Sequence, residues 1–121
     1  MNCNMDLYRQ LQEHLDKLPI GFPSTKSGVE LKILQHLFDT SETKVALCLS
    51  LGNASVPTVQ KRMKRKFNEV IELDSLCKVL DKMYLSGSIN RSKNEPFKYS
   101  NAMLAIGMFE FQLGHLSKEF M

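Results

Sequence analysis

Apolar side chains recur every three or four positions along most of this chain, which is the spacing of amphipathic helices. The first such run covers residues 6–18 and stops at Pro19. Two prolines and a glycine between positions 19 and 25 predict an irregular connector. The apolar stripe of this first predicted helix is formed by Leu7, Tyr8, Leu11, Leu15 and Leu18.

Two more helices are predicted before Gly52. Ser27 and Glu30 have the spacing of a capping box, in which each side chain accepts a hydrogen bond from the other residue's backbone N–H. The wide apolar arc that follows predicts a central, buried second helix. Asp39 or Thr40 is the expected N-cap of the third helix, which Gly52 ends.

The next two predicted helices differ in their apolar faces. Ser55 is the expected N-cap of the fourth helix, and Pro57 is tolerated in its first turn. Asp74 is the expected N-cap of the fifth helix, which Gly87 ends. The narrow stripe of the fourth helix is Val56, Val59, Met63 and Phe67. The inward face of the fifth helix is Leu76, Val79, Leu80, Met83 and Tyr84.

A short β-hairpin is predicted after the fifth helix, because residues 88–92 and 97–100 alternate between apolar and polar side chains. Residues 93–95 form the predicted turn, and Pro96 is compatible with an edge strand. Beyond residue 101, apolar residues at steps of three and four predict a last amphipathic helix with a heptad-like seam. The seam consists of Ile106, Phe109, Leu113, Leu116 and Phe120.

Closely spaced helices followed by a hairpin are typical of the winged helix-turn-helix. The predicted fold class is therefore mainly α with a small β-hairpin, and 121 residues of which 43% are hydrophobic suit one packed domain. Within that single domain of residues 1–121, we assign residues 6–40 to a helical N-terminal arm and residues 41–100 to the winged-helix core. Residues 101–121 form the C-terminal amphipathic helix. The fifth helix is then the recognition helix, and the turn at residues 93–95 is the wing.

Positive charge is concentrated in the fourth helix, although the net charge of the chain is only +3. Five of the 16 basic residues lie between positions 61 and 66 with no acid among them, which leaves 11 basic against 13 acidic residues elsewhere. Such a stripe on a near-neutral body can steer a polyanion, and it is equally typical of a solvated helix face. The five residues are Lys61, Arg62, Lys64, Arg65 and Lys66.

Duplex DNA is one partner that fits this distribution. Cations of the fourth helix can pair with phosphates where that helix crosses the DNA backbone, and the fifth helix can face the major groove. The hairpin can touch an adjacent phosphate or the minor groove. The predicted nucleic-acid-binding residues are Lys61, Arg62, Lys64 and Arg65 on the fourth helix, Ser75, Lys78 and Lys82 on the fifth helix, and Arg91, Lys93 and Lys98 in the hairpin.

The fifth helix also carries features that oppose sequence-specific DNA binding. Asp74 and Asp81 are expected on or near its reading face, where they would repel phosphates. That face has no Arg, Asn or Gln, the side chains that best bind guanine or adenine edges. The first functional hypothesis is therefore a non-catalytic winged-helix module for protein or domain contacts. The second is a small DNA-binding transcriptional regulator, dimeric through its terminal helices.

The sequence predicts neither an enzyme active site nor a metal site. No nucleophile elbow, phosphate loop or H-E-x-x-H motif occurs, and the three histidines are not paired with other ligands at metal spacing. The three cysteines are widely spaced, which favours a reducing, cytoplasmic setting. No apolar run reaches the length of a membrane span.

Several segments resemble ferredoxin-type iron–sulfur proteins of anaerobic prokaryotes. These segments are residues 11–23 (LQEHLDKLPIGFP), residues 27–31 (SGVEL) and residues 106–112 (IGMFEFQ), together with Leu34 and the Leu37–Phe38 pair. The resemblance extends from about residue 7 to residue 111. Members of this group carry an N-terminal winged-helix region followed by a C-terminal pair of [4Fe-4S] cluster motifs.

The resemblance implies a winged helix that is joined to an electron-transfer module. This chain departs from the pattern, because the cysteine-rich cluster motifs are missing and no cluster ligand can be carried over. We therefore expect no cofactor in this chain, and iron–sulfur clusters would require a C-terminal continuation. The expected partners are then a C-terminal ferredoxin domain or a redox protein, or a second copy of the chain.

Overall fold

The computed structural model of the protein describes residues 3–19 and 21–102. Within these residues the fold is mainly helical, with five helices and a small antiparallel sheet of three strands, so the predicted class is confirmed at this level. The predicted C-terminal helix lies outside the described residues, apart from its first two positions. The helices are α1 (Cys3–Asp16), α2 (Val29–Leu37), α3 (Thr40–Leu47), α4 (Val56–Phe67) and α5 (Leu73–Leu85). The strands are β1 (Ala54–Ser55), β2 (Ile89–Arg91) and β3 (Lys98–Asn101).

The end of α1 is set by the connector that follows it. The helix stops at Asp16, two residues before the predicted end, and the Asp16 carboxylate accepts a hydrogen bond from the Phe22 amide at 2.8 Å. This contact folds the connector back onto α1, and Gly21 permits the bend with a φ of +80°. As a result the Phe22 side chain is fully buried against the core.

The predicted capping box of Ser27 and Glu30 is wrong. Gly28 is the N-cap of α2 and makes no side-chain cap. The Glu30 carboxylate is instead fully buried and accepts hydrogen bonds from the Thr25 hydroxyl at 2.6 Å and the Thr25 amide at 3.2 Å. Arg9 of α1 completes the site with an ion pair to Glu30 at 3.1 Å. Glu30 therefore joins α1, α2 and the connector rather than capping its own helix.

The third helix begins as predicted and ends earlier. Asp39 is the N-cap of α3 and forms a full capping box with Glu42. The helix stops at Leu47, well before Gly52. The Cys48 carbonyl that follows accepts a hydrogen bond from Arg62 of α4, and the Leu49 carbonyl lies 2.7 Å from Nε2 of His14 in α1. The Asn101 amide of β3 donates to the Ser50 carbonyl at 2.8 Å.

The predicted N-cap of α4 is confirmed, and the predicted N-cap of α5 is not. Ser55 caps α4 by accepting a hydrogen bond from the Thr58 amide, as predicted. The prediction that Asp74 caps α5 is wrong, because Glu72 holds the N-cap position and forms no side-chain cap. Asp74 lies instead in the first turn, where a carboxylate interacts favourably with the helix dipole.

The sheet contains one strand more than the predicted hairpin. Its order is β1-β3-β2, with both pairs antiparallel. Ala54 of β1 lies opposite Tyr99 of β3, and Arg91 of β2 lies opposite Tyr99 from the other side. Strand β3 is therefore central, and Pro96 lies in the turn before it rather than on an edge strand. The two residues of β1 are too few to show any alternation in the sequence.

All the described elements contribute to one hydrophobic core. Leu11 and Leu15 of α1 are buried in the same cluster as Leu76 and Leu80 of α5, and α1 packs directly on α2 and α3. The residues of the predicted N-terminal arm therefore share their core with the residues that follow it. This core fixes the relative positions of α4, α5 and the hairpin.

Candidate nucleic-acid interface

The outer face of α4 presents three cations. Val59 and Met63 of this helix are buried, so the residues on its opposite side point to solvent. Lys61, Lys64 and Arg65 are all exposed there, and they line one shallow groove with Val70 of the connector to α5. The structure thus brings three of the predicted phosphate-binding residues together.

The other two basic residues of α4 lie on a different side of the helix. Arg62 is half-buried, and its guanidinium donates a hydrogen bond to the Cys48 carbonyl at 3.0 Å. Arg62, Arg65 and Lys66 border a second groove, next to the segment that ends α3. Arg62 therefore ties α4 to the end of α3, which is a structural role that the basic stripe did not reveal.

The same groove contains the Cys48 thiol, which is almost completely buried. Burial raises the pKa of Cys48 to about 11, and the positive charges of Lys66 and Arg62 oppose only part of that rise. The thiol is therefore protonated at neutral pH. In that state it behaves as a small apolar side chain.

The outward face of α5 carries Ser75, Lys78 and Lys82, all exposed as predicted. Lys82 lies 3.7 Å from the Glu42 carboxylate, but its side chain remains 70% exposed. An ion pair of this kind is weak in water, so the ammonium group stays accessible to another anion.

Asp81 does not lie on this outward face, contrary to the sequence prediction. Its carboxylate is turned toward the sheet, where it accepts a hydrogen bond from the Tyr99 hydroxyl and pairs with Arg91 at 3.3 Å. Burial of Tyr99, reinforced by the hydrogen bond to Asp81, raises the pKa of the phenol well above its usual value. Asp74 does remain exposed on α5.

Arg91 is held inside the domain rather than presented by the hairpin. Its guanidinium lies 4.1 Å from the centres of both the Tyr84 and the Phe97 rings, and it pairs with Asp81. The side chain is only 23% exposed. Lys93 and Lys98, in contrast, are exposed on the hairpin.

Tyr84, Phe97 and Asp81 form a clamp around Arg91, and the sequence analysis did not predict it. Tyr84 was expected to face inward, yet 36% of it is exposed because its ring stacks on Arg91 beside the hairpin. No local pattern links Tyr84, Arg91 and Phe97, because only the fold of the hairpin onto α5 brings them together. The sequence offers one signal for this cluster, which is that an aromatic residue lies within seven positions of Arg91 on each side.

The arrangement of residues 3–19 and 21–102 also bears on metal binding and on membrane insertion. No group of three or more potential metal-ligating side chains comes together in these residues. Across the same part of the chain, every helix is too short or too polar to cross a membrane.

Comparisons of the chain with models of protein families, with curated proteins and with solved structures find no match.

Proposed function

We propose that this protein is a non-catalytic winged helix-turn-helix protein that binds duplex DNA through α4, α5 and the hairpin of β2 and β3. The succession α3, β1, α4, α5, β2, β3 and the sheet order β1-β3-β2 support this assignment. In helix-turn-helix proteins the second helix of the pair enters the major groove, and the first crosses the backbone. Here those helices are α5 and α4, and the turn between β2 and β3 serves as the wing.

The observation that carries the proposal is the separation of cations from acids on these elements. In the part of the chain that the structure describes, Lys61, Arg65, Lys78 and Lys93 are exposed and form no ion pair. Of the nearby acids, Asp81 faces the sheet, whereas Glu72, Asp74 and Glu95 stay exposed beside these cations. An accessible set of cations on one helix pair and its hairpin is the electrostatic pattern that phosphates recognise.

Glu69 supports the same separation on the connector between α4 and α5. Its carboxylate pairs with Lys44 of α3 at 2.8 Å, which draws it toward α3, although 43% of the Glu69 side chain remains exposed. Lys44 in turn lies 5.7 Å from the centre of the Phe67 ring, which holds this pair against the end of α4. Asp74 is then the acid that stays exposed on α5, against Lys78 and Lys82 on the same helix.

The direct test is titration of a labelled duplex with the full chain at two salt concentrations. Lys82 is paired with Glu42, and the six other exposed cations of the proposed interface are Lys61, Lys64, Arg65, Lys78, Lys93 and Lys98. Contact of these six with phosphates predicts an affinity that falls about a thousandfold between roughly 50 and 200 mM salt. No binding at the lower concentration would overturn the proposal. Binding that does not respond to salt would also contradict it, because the contacts would not be with phosphates.

A second candidate function is contact with another protein or domain, as in the iron–sulfur proteins that the sequence resembles. The observation that favours it is the exposure of two apolar side chains, Leu85 at 80% and Val70 at 73%. Light scattering of the full chain and of a Leu85→Glu variant tests self-association through Leu85. A dimeric native chain with a monomeric variant would support the second candidate. If both proteins are monomers, self-association is excluded as the form of this contact.

A further inference from the structure

We infer that the proposed interface binds duplex DNA through its phosphates and discriminates little between base sequences. This inference rests on the proposed function and concerns what its surface can recognise. It follows from which side chains α5 and the hairpin expose, and from which of them the fold withholds.

The outward face of α5 lacks side chains that recognise one base through paired hydrogen bonds. None of the residues of α5 (Leu73–Leu85) is Arg, Asn or Gln. Arg binds guanine, and Asn or Gln binds adenine, through two hydrogen bonds in a fixed geometry. The side chains that α5 does expose most are Leu73, Asp74, Ser75, Lys78, Lys82, Tyr84 and Leu85.

The two lysines of this face are poor readers of sequence. A lysine ammonium group is a compact point charge with freely rotating donors, and it lacks the planar fork of arginine. Lys78 can therefore bind a phosphate as readily as a purine edge. Lys82 is further drawn toward Glu42, 3.7 Å away, on the side of α5 that faces α3.

The arginine of the hairpin, Arg91, is not available for contact with DNA, because its side chain is engaged within the domain. Insertion of an arginine into a narrow minor groove is a common way to read DNA shape. Arg91 can make this contact only if it gives up its contacts with Tyr84, Phe97 and Asp81 at the same time. The cations that the hairpin exposes are Lys93 and Lys98, which again are point charges.

Phosphate contacts therefore dominate the interface. Lys61, Lys64 and Arg65 supply a group of cations on α4, where they would meet the backbone rather than base edges. The energy of such contacts comes from the release of counterions and is independent of base sequence. Asp74, exposed in the first turn of α5, can accept a hydrogen bond from a cytosine amino group, but it repels the flanking phosphates.

The test is competition for a labelled duplex by unlabelled duplexes of equal length and unrelated sequence, with the full chain at low salt. We expect dissociation constants that agree within about threefold, whereas specific DNA-binding proteins separate their sites from other DNA by a thousandfold or more. A duplex selected from a randomised pool that binds more than about a hundredfold tighter would overturn this inference and leave the proposed function intact. Absence of binding to every duplex would overturn the proposed function instead.

A variant adds a readout that does not depend on finding a preferred site. Lys78→Gln should weaken binding to all duplexes by the same factor, because a phosphate contact is lost equally from each. Lys32→Gln, on the exposed side of α2, removes the same charge away from the interface and should leave all affinities unchanged. A loss confined to one duplex in the Lys78 variant would show base recognition and contradict the inference.

Discussion

The guanidinium of Arg91 lies 4.1 Å from the centre of the Tyr84 ring, which joins the first strand of the hairpin to the last turns of α5. The centre of the Phe97 ring lies at the same distance from the guanidinium, and Asp81 pairs with Arg91. Arg91 therefore fastens the hairpin to α5, through Tyr84 and Asp81, at the end of the hairpin that carries the turn.

Replacement of Arg91 by Ala should destabilise the protein. The change removes two cation–π contacts and the ion pair with Asp81, so we expect a loss of about 1–3 kcal/mol in the free energy of unfolding. Urea denaturation followed by circular dichroism measures it. Lys93→Ala, at an exposed position of the same hairpin, is the control and should change stability by less than about 0.5 kcal/mol. Equal midpoints for the Arg91 variant and the native protein would show that the clamp adds nothing.

Replacement of Glu30 by Gln should reduce stability in a pH-dependent way. Burial raises the pKa of Glu30, but hydrogen bonds from Thr25 and Arg9 outweigh it and hold that pKa below its usual value. The folded protein then binds the proton less tightly than the unfolded chain does. The stability that the carboxylate contributes is therefore present above its unfolded pKa and is lost as pH falls through its folded pKa.

Urea denaturation at neutral pH and below about pH 4, near the pKa of an unperturbed Glu, checks this sign. The Glu30 variant should be less stable by about 1–3 kcal/mol at neutral pH, and the difference should shrink on acidification. Glu13→Gln removes the same charge from an exposed position of α1 and serves as the control. A deficit that grows as pH falls would contradict the assignment.

The thiols of Cys48 and Cys77 should differ in reactivity. Cys48 is 4% exposed and its pKa is raised to about 11, so little thiolate is present and little reagent reaches it. Cys77 is partly exposed, beside Tyr99 at the edge of α5. Alkylation at neutral pH, followed by peptide mass spectrometry, should modify Cys77 before Cys48, and this order should disappear in urea. Faster modification of Cys48 in the folded protein would show that its side chain is accessible.

Asn101 should be less tolerant of Asp than of Ala. Its buried side-chain amide donates to the Ala46 carbonyl at 3.1 Å, and its oxygen lies 2.8 Å from Nε2 of His14. A carboxylate at this position would turn a donor into a negative charge facing carbonyl oxygens, and a buried charge without a partner costs more than a missing hydrogen bond. Thermal unfolding of Asn101→Asp and Asn101→Ala compares the two. A higher melting temperature for the Asp variant would mean that His14 compensates the new charge.

Some features that depend only on neighbouring residues were predicted correctly from the sequence, although the N-cap of α5 was not. Ser55 caps α4 because its partner, the Thr58 amide, lies three residues away and the contact needs no other element. The inward stripe of α4 was predicted for the same reason, since Val59 and Met63 repeat at helical spacing.

Features that depend on distant residues could not be predicted in this way. Glu30 has the spacing of a capping residue, but Arg9 lies 21 positions away and binds it only after α1 and α2 pack together. Asp81 lies near the outward residues in the sequence pattern, yet Tyr99, 18 positions away, turns its carboxylate toward the sheet. The site is therefore more favourable for phosphates than the sequence alone indicated.

The most direct test of the account is the salt dependence of duplex binding by a variant with Lys61, Lys64 and Arg65 all changed to Gln. Its matched control carries Lys17, Lys26 and Lys32 changed to Gln, which removes the same charge from exposed positions outside α4, α5 and the hairpin. We predict that the α4 variant binds more weakly, with a slope of log affinity against log salt that is shallower by about 2–3, while the control keeps the native slope. Equal affinities and slopes for the two variants would contradict an interface on α4.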